Sequence, residues 1–246
     1  MNIDIEESLI ESWLHVTKRC QMVQNKWTIS TTWDEIEKEI IKKRKEDVIH
    51  LINTNEYVKG IIGKRYIDTV FKQAECDLIG INYNLKNDNY YIVETAFHEK
   101  GLHYTKNGEK DNSRIYKKLL IEGLIFYTYI SPFINKNTNL YLIFASPKAY
   151  DLVTYKEDSD YKLIREILTN LFLKEKNIEI NIDVIVNERF KREIYIPIIR
   201  QIKDNNINSE LFIRSLKLID IVDDEFRYTN ILKTDEKVKE WELYVK

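Results

Sequence analysis

Residues 74–104 read AECDLIGINYNLKNDNYYIVETAFHEKGLHY, and two strands joined by a turn are written into that stretch. Cys76 to Tyr83 and Tyr90 to Phe97 are rich in Ile, Val and Tyr, and Asn87-Asp88-Asn89 between them is turn chemistry. A side-chain period of two puts Glu94, Ala96 and His98 on one face of the second strand, with Val93, Thr95 and Phe97 on the other. A glutamate inside YYIVETAF is costly to bury unless something compensates, and a bound cation would do so. Asp77 stands at the mouth of the neighbouring strand with Glu75 close by. Two such carboxylates on adjacent strands offer oxygen ligands to a hard divalent ion.

Working outward, Tyr66 to Phe71 reads as a further strand, which would complete an antiparallel meander. Before it come a helix from about Ile5 to Gln24 and a second helix opened by Thr32 and Glu35. After it comes a helix from about Ser113 to Ile130, with Ile115, Leu119, Leu120 and Leu124 facing inward. An apolar strand from Leu140 to Ala145 follows, then a helix from Tyr161 to Leu173 and an alternating strand from Ile178 to Val186. Strands mixed with crossover helices predict an α/β fold, a sheet covered by helices on both faces. Residues 1–186 are read as this core and 187–246 as a mainly helical C-terminal extension, with an amphipathic stretch from Ser209 to Ile219.

Composition narrows the function classes. The 246 residues are 43% hydrophobic and 32% charged with a net charge of −2, which excludes wholesale disorder and a bulk cationic nucleic-acid binder. No apolar run is long enough to span a bilayer and MNIDIEES is no signal peptide, so the expected setting is cytoplasmic, with no membrane partner. Six glycines spell no dinucleotide fingerprint, phosphate-binding loop or serine elbow. Cys20 and Cys76 make no disulfide framework or ligand cluster. His98 and His103 are spaced for neither a helical nor a strand chelate, which argues against zinc. Gly60-Ile61-Ile62-Gly63 has apolar centres where a backbone-clamping loop needs polar ones.

An Asp opening one strand and a Glu 17 residues on in the next, after a helix and before a helix–strand pair, resembles the PD-(D/E)XK nuclease superfamily. The resemblance covers roughly residues 5–145. It implies a restriction-endonuclease-like α-β-β-β-α-β core with a mixed central sheet flanked by helices. It further implies that Asp77, Glu94 and the backbone carbonyl of Thr95 bind Mg²⁺ or Mn²⁺, with Glu6 of the first helix or Glu75 assisting. The motif lysine would stand at position 96, where this chain has Ala96. Lys117 and Lys118 are the first candidates to supply that group, His98 the second and Lys100 the third. Arg114, Lys117 and Lys118 crowd the first turns of their helix, where a cation is mildly unfavourable alone, which hints at an anionic partner. Arg114 is the candidate phosphate contact, and Tyr90, Tyr91 and Tyr104 are candidates for base stacking.

The function implied is a divalent-metal-dependent endonuclease acting on nucleic acid, DNA in the first instance, in restriction, phage defence or repair, with a homodimer suited to symmetric cutting. The alternative is the same fold without chemistry, serving as a nucleic-acid-binding or assembly subunit, for which Ala96 speaks. A third reading is a partner-binding α/β protein with no nucleic-acid role.

Overall fold

A computed structural model describes residues 5–30, 38–62, 67–97, 102–103, 105–106, 109–110, 112–150, 158–173, 177–198 and 200. Helix α1 (Ile5–Val16) leads into strand β1 (Met22–Thr28). Three helices follow, α2 (Lys38–Thr54), α3 (Glu56–Ile62) and α4 (Ile67–Gln73). Strands β2 (Glu75–Asn82) and β3 (Asp88–Thr95) form a hairpin. Short strands β4 (Leu102–His103), β5 (Thr105–Lys106) and β6 (Glu109–Lys110) precede helix α5 (Ser113–Ile125), which continues as a π-helical turn, Phe126–Ile130. Strand β7 (Thr138–Ser146), the short β8 (Ala149–Tyr150), helix α6 (Ser159–Phe172) and strand β9 (Ile178–Val186) complete the α/β unit. A short helix α7 (Glu188–Phe190) and a second π-helical turn, Lys191–Tyr195, come last.

The main sheet is mixed, with strand order β1-β2-β3-β7-β9. β1, β2 and β3 are an antiparallel meander, whereas β7 and β9 run parallel to β3. β3 and β7 are interior strands covered on both faces, which is why they read as near-continuous apolar runs. One face carries Ile92, Leu140, Leu142, Phe144, Ile180 and Ile182, packed under α2 to α6. The other carries Leu78, Tyr91, Val93, Ile143 and Ile185 under α1 and the segment that includes Phe190, Ile194, Tyr195 and Ile198. The first dozen residues of the expected C-terminal extension thus belong to this core, while 201–246 lie outside the described residues. Among the described residues, no helix is long and apolar enough to cross a membrane.

Two expectations change. The first meander strand is β1, and the strand expected over Tyr66 to Phe71 falls, from Ile67 on, in helix α4, with position 66 outside the described residues. Ile67, Val70 and Phe71 stand at i, i+3 and i+4, so a helix buries all three, which a strand would split between faces. The helix expected over 5–24 stops at Val16, and Arg19 takes φ 56° in the turn before β1. β1 (MVQNKWT) has little apolar content because it is the sheet edge, half-buried only at alternate residues. The capping pair Thr32 and Glu35 lies outside the described residues.

The π-helical turns displace carbonyls from the ordinary helical ladder, and side chains satisfy them. Thr128 Oγ1 donates to the Leu124 carbonyl and Ser131 Oγ to that of Tyr127, each at 2.8 Å. Trp13, fully buried on α1, donates its indole N–H to the Glu193 carbonyl at 2.8 Å, fixing α1 to the far turn across the second core.

Candidate active site

Asp77 occupies a lapse in both of its ladders. The β1–β2 register runs from Asn25–Leu78 to Trp27–Cys76 and skips the Lys26–Asp77 rung, where Lys26 takes the left-handed φ of 51°. The β2–β3 register ends at Leu78–Val93, one rung short of Asp77–Glu94. Past that point the Thr95 N–H has no β2 carbonyl partner, and the Asp77 carboxylate takes it. Asp77 Oδ2 accepts from Thr95 N at 2.7 Å and from Thr95 Oγ1 at 3.3 Å. Partial burial raises the Asp77 pKa, the nearby Glu94 charge adds to the rise, and the Thr95 and Lys118 contacts oppose it.

Glu94 is 2% exposed, in the same row of β3 as Ile92 and Ala96, beneath helix α5. Lys118, from the second turn of α5, sets its ammonium directly on Glu94 Oε2. The lysine side chain is half exposed, and its charged end meets the buried Glu94 carboxyl group. Burial alone would lower the Lys118 pKa, but attraction to Glu94, with smaller contributions from Asp77 and Glu122, carries it above its ordinary value.

Glu122, one helical turn beyond Lys118, was not foreseen from the sequence. It is 3% exposed, and among the described residues neither carboxyl oxygen has a hydrogen-bond partner. Burial pushes its pKa well above 4.5 and the nearby Glu94 pushes it further, with Lys118 opposing the rise. The signal was legible: Glu122 stands at i+7 from Ile115 and i+3 from Leu119, in the apolar stripe of its helix, just as Glu94 stands in an apolar strand.

The other expected residues are dispersed. Glu75 is exposed at the first residue of β2. Arg114 and Lys117 are exposed on the first turns of α5. Glu6 falls within α1, its side chain outside the described residues, as are His98 and Lys100. Ala96 packs against the first core and donates its N–H to the Ala145 carbonyl at 3.1 Å. Cys76 is 1% exposed; burial raises its thiol pKa far up, and Glu122, Glu94 and Asp77 add to the rise, so it is no nucleophile.

Among the described residues, no three His, Cys, Asp or Glu side chains converge as a metal-binding group. A cation here would rest on the two carboxylates of Asp77 and Glu94. That number suits Mg²⁺, which keeps several waters and takes one or two protein carboxylates. The site thus unites an oxygen-donor pair with an ammonium, all at the end of the sheet where β2 begins and β3 ends. Comparison with known protein families, with curated proteins and with solved structures finds no match for this chain.

Proposed function

We propose that this chain is a divalent-metal-dependent endonuclease of the restriction-endonuclease-like fold, acting on DNA. The observation that carries the reading is the meeting of Lys118 with Glu94 beside Asp77, where strands β2 and β3 part. The order helix, three antiparallel strands, helix, parallel strand supports it, with α2 to α4 as an insertion between the first two strands. Fold likeness alone is an analogy, so the weight falls on the site.

In this reading Asp77, Glu94 and the Thr95 carbonyl hold Mg²⁺, which when bound lowers the pKa of a water and draws charge off a phosphodiester oxygen. Lys118 takes the part of the lysine missing at position 96. It enters the same face of β3 from the following helix, and its ammonium orients the attacking water and offsets charge at the phosphorus. Asp77 and Glu94 set two carboxyl groups against the single ammonium of Lys118, an arrangement that suits a dication. Arg114, exposed at the start of the helix, binds the nucleic-acid backbone.

The test is incubation of the full chain with supercoiled and linear DNA, single-stranded DNA and RNA, in Mg²⁺, Mn²⁺ or EDTA. Cleavage that needs metal and is lost in Asp77→Asn, Glu94→Gln and Lys118→Met is the expected result. Salt-dependent binding without cleavage would instead assign the chain to a non-catalytic nucleic-acid-binding role. Absence of both, with Mn²⁺ affinity unchanged in the two carboxylate variants, overturns the nuclease and the site together.

A further inference from the structure

Strand β9 ends the main sheet, so its residues turn their backbone groups alternately toward β7 and away from the sheet. Thr138 N donates to the Asn177 carbonyl and Asn187 N to that of Ser146, so the odd-numbered residues face β7. Ile178, Ile180, Ile182, Val184 and Val186 therefore direct their N–H and C=O groups outward. An edge of this length and apolar content is a template for a further strand. Among the described residues, no strand takes it.

Side chains occupy its second half instead. Val184 N donates to Asp183 Oδ1 at 2.9 Å, and the Val184 carbonyl accepts from Arg189 Nη1 at 2.9 Å. The Ile182 carbonyl meets the Tyr161 hydroxyl at 3.5 Å. Arg189 uses all five of its N–H donors here. Besides the Val184 carbonyl, it makes a two-point contact with Asp183, at 2.8 and 2.9 Å, and another with Glu193, at 3.0 and 2.9 Å. Such paired contacts fix the plane of the guanidinium. The preceding turn delivers it: Asn187 takes φ 52°, and its side chain accepts from Ala149 N at 2.8 Å and donates to the Ala149 carbonyl at 2.7 Å.

We infer that Arg189, clamped between Asp183 and Glu193, seals β9 against pairing with the β9 of a second copy of this chain. A second copy is the fitting partner because the strand is self-complementary. Two-fold antiparallel pairing centred on Ile182 would set Asn181 against Asp183 and Ile180 against Val184, with no like charges opposed. With the clamp in place, only Ile178 and Ile180 ahead of Ile182 keep outward groups that no described side chain covers, which is short of an ordinary strand pairing. This inference is independent of the nuclease reading, and it sends any dimer suited to symmetric cutting to another surface.

The test compares full chains of wild type, Arg189→Met and Arg192→Met, each also carrying Asn181→Cys with a nitroxide label. The native Cys20 and Cys76 are buried, and Arg192, which contacts Glu193 but not β9, is the control. Arg189→Met should self-associate in sedimentation at least about tenfold more tightly than wild type, with an interspin distance below about 20 Å, since paired strands lie about 5 Å apart. Wild type and Arg192→Met should show no such distance. The unlabelled wild type gives a second reading that needs no variant. Its Val184 amide, capped by Asp183, should exchange at least about tenfold more slowly than the Ile180 amide, which faces the same way without a cap. A short interspin distance in the wild type, unchanged association in a folded Arg189→Met, or equal exchange at Val184 and Ile180 overturns the inference. If Arg189→Met fails to fold, the exchange comparison decides.

Discussion

Lys118 reaches Glu94 across 24 positions of sequence, from the helix that follows the glutamate's own strand. A lysine at position 96 would project from the same face of β3 as Glu94, and Lys118 brings its ammonium to that face from above. Replacing Lys118 by methionine leaves a carboxylate 2% exposed without its cation. Breaking a buried pair costs about 3–5 kcal/mol; because the lysine is half exposed, we expect about 2 kcal/mol, read from urea unfolding. Cleavage should fall by about 10²- to 10⁴-fold. Lys117→Met, one residue away and exposed, should change stability by no more than about 0.5 kcal/mol.

Asp77 does two things that separate on mutation. Asp77→Asn retains an oxygen for the Thr95 N–H and removes the charge, so stability should change by less than about 1 kcal/mol while Mn²⁺ affinity drops at least tenfold. Asp77→Ala removes the acceptor as well and leaves a backbone N–H unsatisfied, for a further loss of about 1–3 kcal/mol. Paired calorimetric titrations and thermal melts check both; equal melting points for the two variants would contradict the role given to Thr95.

The dependence on pH follows from the signs. Glu122 and Asp77 have raised folded pKa values, so above about pH 4–5 the native state keeps protons that the unfolded chain has released. Their contribution to stability therefore declines as pH rises through that window. The Lys118 contribution has the other shape: it is present below the unfolded value of 10.5 and is lost only as pH rises through its higher folded value. Glu122→Gln should thus gain on wild type as pH rises above 4.5 toward the raised folded value of Glu122, by at most about 1.4 kcal/mol per pH unit. Urea unfolding at three pH values measures this, and a constant difference would refute it.

Two helical glycines predict opposite outcomes. A Cβ on Gly123 would lie 2.8 Å from both methyls of Leu168, which is itself fully buried. Overpacking of about 1–3 kcal/mol exceeds the gain of about 1 kcal/mol in helix propensity, so Gly123→Ala should lower Tm by a few degrees. Gly60 in α3 is exposed and a Cβ there meets nothing within 4 Å. Gly60→Ala should stabilise by about 0.5–1 kcal/mol.

Periodicity made the central part of this fold legible. Glu94 and Ala96 do share one face while Val93 and Phe97 share the other, because an interior strand is packed on both sides and its alternation is enforced by two cores. β9 was read at its observed limits, Ile178–Val186, for the same reason. β1 was missed because an edge strand buries only half of one face and its sequence, MVQNKWT, carries no strong alternation. Tyr66 to Phe71 was misread as a strand because the run is short and ends in Val and Phe, although the spacing of Ile67, Val70 and Phe71, all buried, is that of a helix. Glu122 went unnoticed since acidic residues on helices are usually solvated; only its place in the stripe of Ile115 and Leu119 marks it as different.

Thr28 and Glu75 face each other as the last rung between β1 and β2, so the chain leaves the sheet and returns to it at neighbouring points. Topologically, everything between them is a hairpin loop, and the entropy of closing a loop grows slowly with its length. This connection has become a helical lobe whose Val48, Val58 and Phe71 are fully buried in the first core, each worth about 1.5–3 kcal/mol over exposure. Its inner side is therefore held by packing, while its outer side, with Lys38, Lys42 and Lys43 exposed, is free to change without disturbing a single rung. That makes the lobe the part of the molecule where divergence is cheapest, and where related chains should differ most in length and charge while the parting of β2 from β3 stays the same.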